Sequence, residues 1–147
     1  SMIARGAADL VYQRIAPHLP EYMGKVFEEI CKQYLWKLLL NEKSPVEFQS
    51  LGRWWGNDPI HKCQTEIDIM GEQDKDTALF AECKWTAEKV DLSILETLTV
   101  RSNLFPYLNK HFFLFSKSGF TQGCVNKAIE LGNVSLVTYG EIVKALG

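Results

Sequence analysis

The sequence has little of what would mark several function classes. Its four cysteines, Cys31, Cys63, Cys83 and Cys124, lie far apart with no C-x-x-C spacing. They read as reduced residues of a cytosolic protein, and nothing in their spacing supports a disulfide framework or a thiol or zinc site. The three histidines, His18, His61 and His111, also lack ligand spacing. No G-x-x-x-x-G-K-[ST] occurs, which excludes nucleotide binding by that route. No run approaches the roughly 18 apolar residues of a membrane span, and no signal peptide is visible, so a cytoplasmic location without a membrane partner is expected. Charge of one sign is also missing. The formal net charge of −2 argues against a generic basic nucleic-acid coat but leaves room for a local basic rim around an acidic site. There is no internal repeat or low-complexity segment.

What is present suits one compact α/β domain. A chain of 147 residues can bury a sizeable core, and 46% hydrophobic with 23% charged residues is ordinary globular composition. Ser1-Met2 reads as an expression remnant, which leaves room for the native chain to extend upstream. Residues 3–20 are mixed, and Pro17 and Pro20 bracket His18 and Leu19. This stretch reads as an N-terminal arm or linker (1–20) with one helical turn at most, ahead of a single domain over 21–147. From Glu21 to Leu40, Met23, Val26, Phe27, Ile30, Cys31, Tyr34, Leu35 and Leu38 recur at helical spacing. Val46–Gly56 reads as a strand with Gly52 at a bulge, "NDPIHKC" as a loop, and Thr65–Met70 and Thr77–Trp85 as antiparallel neighbours. A helix over 91–103 follows. Lys110–Ser116 has the apolar, aromatic composition of a strand buried on both faces. Gln122–Leu131 reads as a helix, "VSLVTY" as a last strand, and 140–146 as a closing helix. The order α-β-β-β-α-β-α-β-α predicts a central mixed sheet, a hairpin joined to parallel crossovers, flanked by helices.

The hairpin "TEIDIMGEQDKDTALFAECKW" carries charges where strands usually pack. Strict alternation puts Glu66, Asp68 and Met70 on one face and Thr65, Ile67 and Ile69 on the other. It likewise separates Phe80, Glu82 and Lys84 from Ala81, Cys83 and Trp85. With the apolar faces together against the core, Asp68, Glu82 and Lys84 share one surface. Two carboxylates about 4 Å apart repel by on the order of 1 kcal/mol in water and several-fold more near a protein surface. A divalent cation reverses that sign, and hard cations such as Mg²⁺ prefer oxygen ligands. A lysine beside them can orient water or neutralise charge developing on a phosphate. The competing reading is a solvated strand face with cross-strand charge pairs. In the first helix Glu28 lies at the margin of the apolar stripe and Gly24 leaves room one turn earlier. Glu28 therefore either reaches a cleft or is a surface carboxylate favoured near a helix start.

"GKVFEEICKQYL", the "LGRWWG" strand, "EIDIMG", "ALFAECKW" and "FFLFSKSGFT" together resemble the nuclease-like domain at the C-terminus of a family of archaeal and bacterial AAA-type ATPases. That domain belongs to the PD-(D/E)xK superfamily, of restriction-endonuclease-like fold, and the resemblance runs from about Tyr22 to Tyr139. Its helix acidic residue falls on Glu28, the PD aspartate on Asp68, and the (D/E)xK element on Glu82 and Lys84. Ile67 stands where the motif's name puts proline. The resemblance implies Mg²⁺- or Mn²⁺-dependent hydrolysis of DNA phosphodiesters. Asp68 and Glu82 would hold the metal, Lys84 would position water or stabilise the transition state, and Glu28 would assist as ligand or base. It also implies an ATPase module elsewhere in the native chain. Glu66 has no position in the motif. The alternative is an inactive nucleic-acid- or partner-binding module of the same fold.

Of the adjacent tryptophans Trp54 and Trp55, one should pack inward and the other point out, either as a capping aromatic or to stack on a splayed base. Arg53, Lys62, Lys89, Arg101, Lys110 and Lys117 are candidate phosphate contacts, with scattered surface charge as the ordinary expectation. His61 lies near the proposed site in the chain, on a loop where substrate contacts commonly occur.

Overall fold

Phe27, Cys31 and Leu35 recur every four residues, and in the computed structural model they are the buried stripe of a 22-residue helix. The structure describes residues 2–147. The elements are helix α1 (Met2–Ile15), a 3-10 turn (Ala16–His18), helix α2 (Leu19–Leu40), strands β1 (Gly52–Asp58), β2 (Cys63–Asp74) and β3 (Thr77–Lys84), helix α3 (Leu92–Ser102), β4 (Asn109–Ser116), α4 (Gln122–Leu131), β5 (Val134–Thr138) and α5 (Tyr139–Leu146). The sheet order is β1-β2-β3-β4-β5. The first two pairings are antiparallel and the last two parallel, the expected hairpin joined to crossovers.

Two apolar layers flank the sheet. On one face Phe27, Cys31 and Leu35 of α2 and Ile142 of α5 pack on Ile69, Leu79, Ala81, Phe113 and Phe115. On the other, Leu95 and Leu98 of α3 and Cys124 of α4 cover Ile67, Phe80, Phe112 and Leu114. Strand β4 feeds both layers by alternation, which is why its sequence is apolar without interruption.

The N-terminal segment differs from the single turn expected of it. Met2–Ile15 is a continuous 14-residue helix. Ala4, Arg5, Ala7, Ala8 and Leu10 are strong helix formers, and they outweigh the roughly 1 kcal/mol cost of Gly6. Pro17 and Pro20 sit in the 3-10 turn and the first turn of α2, where a missing N–H costs nothing.

The first strand also starts later than its alternation predicts. Val46 and Phe48 are buried, but residues 46–51 contribute no strand and hold the sheet through isolated bonds such as Gln49 N–H to the Glu72 carbonyl (3.2 Å). This segment crosses tightly over Gly71, where an added Cβ would meet Leu51 Cδ2 at 2.8 Å, Phe48 Cβ at 2.9 Å and the Ser50 carbonyl at 3.2 Å. Gly71→Ala should therefore destabilise the protein by about 1–3 kcal/mol, the usual cost of overpacking. In urea the unfolding midpoint should fall at unchanged slope. An unchanged midpoint would contradict the close crossing.

Candidate active site at the fork of the central strands

Strands β2 and β3 are paired from Ile69 opposite Ala81 to the turn at Asp74 and Thr77. Beyond Ile69 they diverge, and the acidic residues lie at that fork. β1 pairs Gly52 with Met70 but Trp54 with Ile67, so β2 carries one extra residue between Ile67 and Met70, opposite Arg53. The bulge breaks the alternation that would put Thr65, Ile67 and Ile69 on one face. Ile67 packs in the α3–α4 layer and Ile69 in the α2–α5 layer. Asp68 is left in the bend, where its Oδ2 accepts the Cys83 N–H at 2.9 Å. A side chain there takes the place of the β2 backbone at the point where the ladder has ended.

Asp68 and Glu82 are both buried, at 6% and 8% exposure, so neither is a solvated strand charge. Glu82 lies in hydrogen-bonding contact with Asp68. Burial first, and the Asp68 charge second, push its carboxyl up to about 8 against the weaker pull of Lys84 and Arg101. Near neutral pH the Glu82 carboxyl thus keeps its proton. Lys84 Nζ stands 3.6 Å from Glu82 Oε1, with about a third of its side chain open to solvent.

Glu28 approaches from α2 but is engaged elsewhere. Its carboxylate pairs with the Arg53 guanidinium, which also reaches Glu66 at 2.9 Å and stands 3.8 Å from Asp68. Burial raises the Glu28 pKa, opposed by the Arg53 hydrogen bond. The same bond, to Glu28, holds the Arg53 guanidinium even more firmly protonated. The structure thus brings Asp68, Glu82 and Lys84 together and holds Glu28 one residue away, across Arg53. Sequence reasoning offered Arg53 as a phosphate contact and missed this bridging place. Its only signal was a cation on the strand that pairs with Asp68.

The remaining candidates are dispersed. Lys110 donates to the Ser102 carbonyl at 2.8 Å, and Lys117 lies over the Trp85 ring at 5.0 Å. Lys84 and Lys89 share a cleft with Thr86, Glu88 and Asp91. His61 Nδ1 pairs with Asp58 Oδ2 at 2.6 Å in the β1–β2 turn, and His111 Nε2 with Ser135 at 2.8 Å. The turn is shorter than the predicted loop, since Asn57, Asp58 and Cys63 belong to the strands.

The donor set suits a hard cation, although it is small. Among the described residues no group of three or more His, Cys, Asp or Glu side chains is arranged to hold a metal ion. Mg²⁺ keeps several of its waters and is commonly bound by one or two carboxylates. Asp68 and Glu82, buried and adjacent, fit that demand once Glu82 gives up its proton, while Glu28 in its present pairing adds nothing to it.

The family model for DUF234, described as archaeal and bacterial proteins of unknown function, matches residues 1–95. The chain belongs to the DUF234 family. An uncharacterized protein of Methanocaldococcus jannaschii is 37% identical over 86 residues, which make up 58% of this chain and 18% of that protein. The chain therefore spans less than a fifth of its relative's length. Among solved structures, AF1548, a protein of unknown function, superposes over 80% of this chain and 66% of its own with TM-score 0.52 and 17% identity. The MspJI restriction endonuclease in complex with a 27-mer oligonucleotide superposes over 95% of this chain and 30% of its own, with TM-score 0.52 and 9% identity. At such identities the likeness concerns the fold, which is restriction-endonuclease-like. In this DUF234 chain no helix among the described residues is long and apolar enough to cross a membrane.

Proposed function

We propose that this DUF234 chain is a divalent-metal-dependent nuclease domain that hydrolyses DNA phosphodiesters. The observation that carries the reading is the burial of Asp68 beside Glu82 with the Lys84 ammonium 3.6 Å from Glu82. Burying two neighbouring carboxylates is costly, and a cation relieves the cost. Asp68 and Glu82 would hold Mg²⁺ or Mn²⁺, which when bound would lower the pKa of water and polarise the phosphoryl oxygen. Lys84 neutralises charge as it develops on the phosphate and orients the attacking water. Glu28 acts through Arg53, whose guanidinium it holds beside Asp68. DNA as substrate is supported by the oligonucleotide complex of the restriction endonuclease that shares the fold. We further place the chain at the C-terminus of a longer cytoplasmic protein with an ATPase module, a reading that accommodates the relative of much greater length.

The test is cleavage of single-stranded, duplex and branched DNA with Mg²⁺ or Mn²⁺. Wild-type protein should cut, EDTA should stop it, and Asp68→Ala and Lys84→Ala should each remove it. Cleavage that survives both substitutions removes the assignment.

A second reading is a non-catalytic binding module of the same fold. It is favoured by the Arg53 guanidinium occupying Glu28, which leaves two carboxylates where the resemblance implies three. Calorimetric titration separates the two. Mg²⁺ or Mn²⁺ binding that depends on Asp68 and Glu82 supports the nuclease, and no such binding supports the module.

A further inference from the structure

Adjacent tryptophans on a strand have opposite fates, and here the buried one explains the exposed one. Trp54 packs edge-on against Phe105, with ring centroids 4.9 Å apart, and an added Cβ at Gly56 would lie 2.8 Å from its ring. Its place in the α3–α4 layer obliges Trp55 to point the other way. Trp55 is 72% exposed on an edge strand whose backbone is held in register, Trp55 opposite Glu66 and Gly56 opposite Thr65. An indole so exposed adds little to the core and presents a rigid aromatic face to solvent.

That face borders a cleft of about 340 Å³ lined by Trp55, Gly56, Gln64, Thr65, Glu66 and Arg101. The volume lies within the range of small-ligand pockets. Arg101 is oriented by donating to the Glu66 carbonyl at 2.9 Å, so a planar cation stands on the cleft wall beside a planar aromatic. Glu66 joins the cleft to the acidic fork, since its carboxylate is bonded to the Arg53 guanidinium, 3.8 Å from Asp68. A group seated here would be separated from Asp68 by the ion-paired side chains of Glu66 and Arg53.

The geometry points to a nucleobase subsite, in which Trp55 stacks on an unpaired base and Arg101 lines the same cleft, so that the substrate is single-stranded or locally unpaired DNA. This rests on the nuclease reading and sharpens its substrate class. A base inside a duplex already has both faces covered by its neighbours, so a protein aromatic stacks only on one that is splayed out or single-stranded. Every base has a π-face, and stacking of this kind is tolerant of sequence.

The experiment is fluorescence anisotropy in EDTA, where nothing is cut, with labelled oligothymidylate and a labelled two-strand duplex paired along its whole length. Trp55→Ala should weaken oligothymidylate binding by about 5–150-fold, the range expected for loss of one stacked base. Duplex affinity should stay as it was, and Trp55→Phe should recover most of the loss. Unchanged oligothymidylate affinity in Trp55→Ala, or an equal loss on both probes, overturns the subsite. A chain that binds through Trp55 but does not cut keeps the subsite and removes the nuclease reading. One that cuts through Asp68 and Lys84 yet binds independently of Trp55 does the reverse.

Discussion

Lys84→Ala should lower the rate of metal-dependent DNA cleavage by about 10²–10³-fold while leaving the protein folded, the loss usual for a group that stabilises developing charge in a water-poor site. Lys84 is partly open to solvent and its ammonium rests 3.6 Å from Glu82, so the substitution opens no core cavity. It does remove the ammonium that stands beside Glu82. Asp68→Ala should cost at least as much in rate, and it should cost stability too, because the Cys83 N–H at the fork then loses its acceptor. Single-turnover rates at saturating DNA separate the two variants from simple loss of binding. Equal rates for wild type and Lys84→Ala would remove the lysine from the chemistry. A loss confined to KM would make it a binding residue.

Glu82→Gln should stabilise the metal-free protein, and the gain should grow with pH. The folded state holds the Glu82 carboxyl near 8, above its ordinary 4.5, so it binds that proton more tightly than the unfolded chain does. The resulting stability is fully present below about 4.5 and is lost as pH rises toward 8. Glutamine does not titrate, and its amide N–H can donate to Asp68 as the protonated carboxyl does. In EDTA the two proteins should melt alike near pH 4.5. At pH 8 the variant should lead by on the order of 2–4 kcal/mol, or roughly 5–10 °C in melting temperature. Saturating Mg²⁺ should narrow that gap, because a cation held by Asp68 and Glu82 stabilises only the folded wild type. A melting difference that stays flat from pH 4.5 to 8 would mean that Glu82 is not desolvated in solution.

Both outcomes trace to one irregularity that periodicity does not register. Alternation along β2 and β3 already gathers Asp68, Glu82 and Lys84, because a period of two sorts side chains whenever the strands are regular. The strands are not regular there. The extra residue opposite Arg53 is a property of how β1 and β2 pair, and no local pattern in "TEIDIM" announces it. It sends Ile67 and Ile69 to different layers and leaves Asp68 to bond the end of β3.

The elements written in the residues themselves were those whose burial is set by their own pattern. The β4 run is apolar at every position because both faces are covered, and α2 shows its stripe because one face is. The order of strands and helices follows from these, and with it the mixed sheet. The N-terminal helix escaped because its formers carry no clear stripe and two prolines follow them. The pairing of Glu28 with Arg53 joins residues 25 apart through the meeting of a helix and an edge strand, and only packing brings them together. The sequence alone required one tryptophan in and one out. That Trp55 is the outward one, beside the Arg101 cleft, was decided by which face of β1 meets the α3–α4 layer.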